Sequence, residues 1–230
     1  MAAKEPELPD EIGAADLDPA VRRELRTLPE GLADTVARHL AAAGRLVDED
    51  PVRAHAHALA ARRRAARVPS VREAVGVTAY LCGRYAEALA ELRAARRMNG
   101  VAAHLPVMAD CERGLGRPER ALALAADPTG LDRAGQVELR IVAAGARRDL
   151  GQPDAAVLLL QGEDLRVDTR EPWLPRLRYA YADALAAAGR HAEAGSWFAL
   201  AREVDPEGET DAAERAGEPS PVRFVGENGE

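Results

Sequence analysis

The residues able to do chemistry are few, and their spacing serves no obvious reaction. His55 and His57 stand two apart, so on a helix they point to different sides and cannot form the one-face pair that a metal needs. No two histidines stand three or four apart, and His104 and His191 read as helix-end or turn residues. The serines are Ser70, Ser196 and Ser220, and none sits in a nucleophile elbow. The run GLGRPE at 114–119 lacks the third glycine of a phosphate loop and follows a helical stretch, not a strand. Asp48-Glu49-Asp50 precedes a proline and reads as a helix N-terminal cap with a dipole match. Cys82 and Cys111 have neither metal nor disulfide spacing and read as free thiols in apolar surroundings. The expectation is a protein without catalytic residues, cofactor or metal.

Arginine is the other chemically capable type. The stretch 53–67 carries Arg53, Arg62, Arg63, Arg64 and Arg67, and a second group is Arg93, Arg96 and Arg97. One arginine face can meet phosphates or an acidic partner. The aromatics that stack single strands are missing nearby, and no helix-turn-helix or RNA-binding signature accompanies the arginines. A nucleic-acid-associated regulator using this face is therefore kept as the alternative function. The chain has 30 arginines against the single Lys4, and 50 alanines. That excess is what a GC-rich bacterial genome writes by codon bias, so arginine content alone does not indicate nucleic acid.

The elements that would position these residues are helical. Alanine favours helix and disfavours strand, and only 3% of the chain is aromatic, so neither an all-β fold nor a ring-rich core is available. No apolar run approaches a membrane span, and the N-terminus is not a secretion signal, so a cytoplasmic protein is expected. The overall charge of −7 hides a mildly basic body between two acidic ends rich in Pro, Gly and Glu. Residues 1–20 and 206–230 are expected to be disordered tails around a helical domain over 21–205.

Within that domain one signal recurs: a helical run, a Gly-Arg, Gly-Gln or similar turn, then an alanine-led helical run. The glycines are Gly44, Gly83, Gly116, Gly151 and Gly189, at intervals of 39, 33, 35 and 38 residues. A glycine supplies the positive φ of a helix C-cap, and Pro118 and Pro153 open the following helices. Helical hairpins with this period point to a solenoid. Ala109, Ala144, Ala182 and Gly76 face Ala88, Ala121, Ala156 and Ala194 as small slots where paired helices nearly touch. Leu92, Leu160 and Phe198 fill the gaps between units. The long helix of the first unit is expected over about Val52–Arg67.

The last unit reads PRLRYAYADALAAAGRHAEAGSWFALAREVDP. Its Tyr181-Ala182 pair, Leu185, Gly189, Ala194, Phe198, Ala201 and closing Asp205-Pro206 resemble the tetratricopeptide repeat family. The family's tryptophan-like slot holds Arg178, with Trp173, Leu174 and Leu177 close by. The unit from Pro69 to Gly100 also fits, with Asn99-Gly100 in place of the closing proline. Second helices are cut short at Asp127-Pro128 and interrupted at Asp50-Pro51.

The resemblance implies an all-α fold: a right-handed α-solenoid of about five helix-turn-helix hairpins. It implies a scaffold or adaptor that binds another protein or a peptide segment in a concave groove, with a homodimer as the second partner considered. In that family the groove residues come from the first helices. Here they are Asp34 and Arg38; Glu73, Val77 and Tyr80; Asp110 and Arg113; Ile141 and Arg148; and Tyr179 and Asp183. Positions that clamp a C-terminal carboxylate in some members hold Glu73, Val77 and Glu138, which argues against that mode.

Overall fold

The computed structural model describes residues 5–9, 11–167 and 171–216, and no strand occurs among them. The chain divides into two compact units, Met1–Gly116 and Arg117–Glu230, where the composition had marked out one body over 21–205. Among the described residues no helix is long and apolar enough to cross a membrane.

The first unit contains a 3-10 turn (Ala14–Asp16) and six helices: α1 (Pro19–Leu25), α2 (Glu30–Leu46), α3 (Pro51–Ala65), α4 (Pro69–Leu81), α5 (Tyr85–Asn99) and α6 (Leu105–Gly114). The second contains α7 (Pro118–Ala125), α8 (Arg133–Asp149), α9 (Pro153–Leu160), a 3-10 turn (Glu163–Arg166), α10 (Leu174–Ala187), α11 (His191–Glu203) and α12 (Ala212–Arg215). Proline opens α1, α3, α4, α7 and α9, where its missing N–H leaves no bond unmade. Asp18, Asp50 and Asp132 cap α1, α3 and α8 by accepting backbone N–H bonds of 2.6, 3.0 and 2.8 Å.

The glycine turns hold at Gly83, Gly116, Gly151 and Gly189, all with φ between +69° and +78°. After Gly83 the N–H of Arg84 returns to Ala79 O at 2.8 Å, and after Gly189 that of Arg190 returns to Leu185 O at 2.9 Å. This is the C-terminal lock that a left-handed glycine permits. Gly44 is different and corrects the sequence reading. It lies inside α2, which runs on to Leu46. The helix ends at Leu46, shortly before Asp50-Pro51, where the proline keeps Asp50 out of the helical region. A proline stop overrides an isolated helical glycine, which costs a helix only about 1 kcal/mol. Gly100 closes α5 in the left-handed region, and α7 ends at Ala125, ahead of Asp127-Pro128.

Packing uses the small-residue slots. Ala88, Ala109, Ala121, Ala156 and Ala182 have no exposed surface, and Ala144 and Ala194 have almost none. Leu92, Leu160 and Phe198 are buried beside them. In the first unit α4 lies against α5 and α2 against α3, over a core that includes Leu25, Val36, Leu40 and Val71. In the second, α10 packs on α11, and Trp173, Leu174, Leu177 and Leu185 join Tyr181, Trp197 and Phe198 in one cluster. Tyr181 and Trp197 meet edge to face at 4.9 Å.

The described parts of both ends are more ordered than their composition implies. Ile12 is buried against Ala41 and Ala42, and Arg38 of α2 donates to Ile12 O (2.9 Å) and Pro9 O (3.0 Å). At the other end the Asp205 carboxylate accepts from Glu209 N (2.8 Å), Thr210 N (2.9 Å) and Thr210 Oγ1 (2.7 Å), and Ala212 of α12 is buried. A few apolar anchors and turn bonds are enough to seat segments whose average composition is that of a solvated tail. Residues 1–4, 10 and 217–230, the remainder of the two expected tails, lie outside the described residues.

Candidate functional site

Two polar clusters gather most of the residues picked out by the sequence. In the first unit, Tyr80 stands at the end of α4, just before the Gly83 turn. Asp110 and Arg113 are one turn apart on α6. Tyr80 Oη donates to Asp110 Oδ2 at 2.6 Å, and Arg113 Nη1 donates to Asp110 Oδ1 at 2.8 Å. Burial first, and then the Asp110 carboxylate, pushes the Tyr80 hydroxyl well above the ordinary phenol range. Tyr80 therefore acts as a neutral hydrogen-bond donor.

In the second unit, Tyr179 and Asp183 are one turn apart on α10, ahead of the Gly189 turn. Arg148 of α8 donates to Asp183 Oδ2. Arg215 of α12 donates to Asp183 Oδ1 at 2.8 Å and to Tyr179 Oη at 2.7 Å. Burial, followed by the Asp211 carboxylate, raises the Tyr179 pKa. The remaining predicted residues stand apart from these clusters. Arg38 is committed to the N-terminal segment. Glu73 accepts from Asn99 Nδ2 at 2.8 Å, and His104 (3.8 Å away) and Asn99 hold its carboxyl below the usual range. Val77 is half-buried on α4.

No protein-family model and no curated protein matches the chain.

Both carboxylate oxygens of Asp110 and both of Asp183 already accept hydrogen bonds within the fold. Burial pushes the Cys111 thiol up to about 12, with Asp110 and Glu112 adding to the effect, and burial also raises Cys82. Neither offers a thiolate nucleophile near neutrality. Among the described residues no three His, Cys, Asp or Glu side chains converge as a metal site. The arginine stretch is partly spent inside the fold. Arg62 donates to Glu91 (2.5 Å), Arg64 to Glu5 (3.0 Å) and Arg93 to the buried Glu112 (2.7 Å). Those guanidiniums are compensated before any phosphate arrives.

The sequence reading missed the buried histidines of the first unit. His39 Nε2 lies 2.8 Å from Glu5 Oε1, and His39 Nδ1 lies 3.1 Å from His57 Nδ1. With the His39 Nε2–H given to the carboxylate, its Nδ1 accepts and His57 Nδ1–H donates. Two neutral rings satisfy this pair; a proton on both Nδ1 atoms breaks it. His55 Nδ1 lies 3.0 Å from Thr78 Oγ1. Burial lowers the pKa of all three histidines, against the opposing pull of Glu5 on His39 and Glu87 on His55. No local pattern signals the pair, because its members are 18 positions apart and Glu5 is 34 from His39.

A pH dependence follows. Below about pH 6.5 the unfolded chain protonates these histidines while the folded chain resists. Stability is therefore fully present above that pH and falls as pH drops through it, by up to about 1.4 kcal/mol per pH unit for each extra proton bound by the unfolded state. Urea midpoints measured from pH 7.5 to 5.5 should decline, and His57→Gln should flatten the decline. A pH-independent midpoint in the wild-type chain would contradict neutral burial.

Proposed function

We propose that the protein is a non-catalytic protein–protein interaction module. In this reading it is a tetratricopeptide-repeat-like array of about five helical hairpins, wound as a right-handed solenoid, and it binds a segment of a partner protein through its first helices. One observation carries the reading. In each unit an aspartate one helix-end away from a glycine turn collects arginine beside a tyrosine: Tyr80 and Arg113 donate to Asp110 in the first, and Arg148 and Arg215 donate to Asp183 in the second, where Arg215 also donates to Tyr179. Aromatic side chains with a polar tip and arginines are the residue types that dominate binding energy at protein interfaces. The buried alanine slots support the repeat reading, since they let short helices pack closely without large side chains.

Affinity purification with cross-linking should recover a partner, and its cross-linked segment can then be made as a peptide. Tyr80→Ala, Arg113→Ala and Tyr179→Ala together should weaken that peptide at least ~10-fold, as loss of interface anchors does. A triple variant that melts as a folded protein and retains full affinity would overturn the assignment.

A further inference from the structure

Resting on that binding-face reading, the geometry points to a more specific site in the second unit. We propose that Tyr179, Asp183 and Phe198 form a receptor for an arginine side chain. The chain's own segment 205–216 closes it in cis, and the partner segment recognised there presents an arginine that replaces Arg215.

The receptor has the shape of a guanidinium. The Arg215 Cζ lies 4.2 Å from the centre of the Phe198 ring and 5.4 Å from that of Tyr179. Its two terminal nitrogens diverge, Nη1 to Tyr179 Oη at 2.7 Å and Nη2 to Asp183 Oδ1 at 2.8 Å. A planar cation that stacks on a ring while donating from two corners is an arginine, since a lysine ammonium is a point charge without a stacking face. The cage does not depend on Arg215 for its shape. Arg148 holds the other oxygen of Asp183, and Tyr179 meets Phe198 edge on at 5.4 Å. When Arg215 leaves, the acceptors stay in place and the ring face is open.

The closing segment is slight. The Asp205 carboxylate folds it back, Ala212 seats it, and α12 itself has only four residues. A short element with so few anchors opens locally at low cost. Its advantage is the tether, because an intramolecular ligand acts at an effective concentration in the millimolar range. An outside segment therefore competes poorly until the closing segment is loosened, which makes α12 a built-in gate on this face.

The test uses the full chain and a fluorescein-labelled peptide of residues 205–216, DPEGETDAAERA. Ala212→Asp with Arg215→Ala in the protein loosens the gate without touching the cage. By fluorescence polarisation the peptide should bind this variant at least ~10-fold more tightly than wild type. A peptide carrying Arg215→Lys should lose about ten-fold at unchanged charge, and adding Asp183→Asn to the protein should remove binding. A loosened chain that stays helical by circular dichroism yet binds no better than wild type would overturn the proposal, as would equal binding of the lysine peptide. Tyr80→Ala with Arg113→Ala, in the other unit, keeps the two readings separable: peptide binding should survive there. If the partner also survives, the broader reading fails while this one stands.

Discussion

Gly76→Leu should cost the first unit about 3 kcal/mol or more, a large share of the 5–15 kcal/mol by which domains are normally stable. At Gly76 the backbone of α4 comes directly against α5. A Cβ added there would meet Leu92 Cγ at 2.5 Å and Leu92 Cδ2 at 2.6 Å, with Ala88 O at 3.3 Å. Leu92 is fully buried and has nowhere to swing, and Ala88 O is backbone. Even Gly76→Ala should destabilise. The overpacking cost of about 1–3 kcal/mol exceeds the roughly 1 kcal/mol that alanine adds as a helix former. Urea unfolding followed by circular dichroism reads both variants, and an alanine variant more stable than wild type would show that the helices can part freely.

Arg178→Met should destabilise the second unit by about 3–5 kcal/mol. The side chain is 8% exposed. Its guanidinium donates to Leu165 O (3.2 Å), Leu200 O (3.1 Å) and Val167 O (3.3 Å). It thereby ties the 3-10 turn after α9 to the last turn of α11. Methionine fills similar volume but leaves three carbonyls without this donor, and each buried unpaired group costs about 1–3 kcal/mol. Arg178→Lys should recover only part of the loss, because one ammonium cannot span three acceptors held by two elements. Trp173 and Trp197 belong to the same core and report its unfolding by fluorescence. Neutral behaviour of Arg178→Met would show that water replaces the guanidinium at little cost.

Arg178 also marks the limit of what could be read in advance. The tetratricopeptide pattern that the sequence resembles has a large aromatic at this position, and Trp173, Leu174 and Leu177, in the same stretch, are buried. That the arginine itself goes inside depends on carbonyls up to 22 positions away, which no local spacing reveals. The histidine pair and the α12 gate were hidden for the same reason. Gly44 was misread through a competition between two local signals: its resemblance to the later glycine turns stood out, while the stronger stop at Asp50-Pro51 lay six residues on.

Local chemistry is what the sequence determined by itself. Alanine-rich runs had to be helical, prolines set where several helices begin, and Gly83, Gly116, Gly151 and Gly189 had to turn because only glycine adopts their positive φ without strain. The slots where helices nearly touch were legible too, since a close approach excludes side chains larger than alanine. The tertiary structure alone decided which charges are spent and which are offered. Whether an arginine binds Glu91, a ring of carbonyls, or the Tyr179–Asp183–Phe198 cage is a matter of which distant groups folding brings within about 3 Å of it, and hydrogen-bond energy depends on that distance and on burial, not on position along the chain.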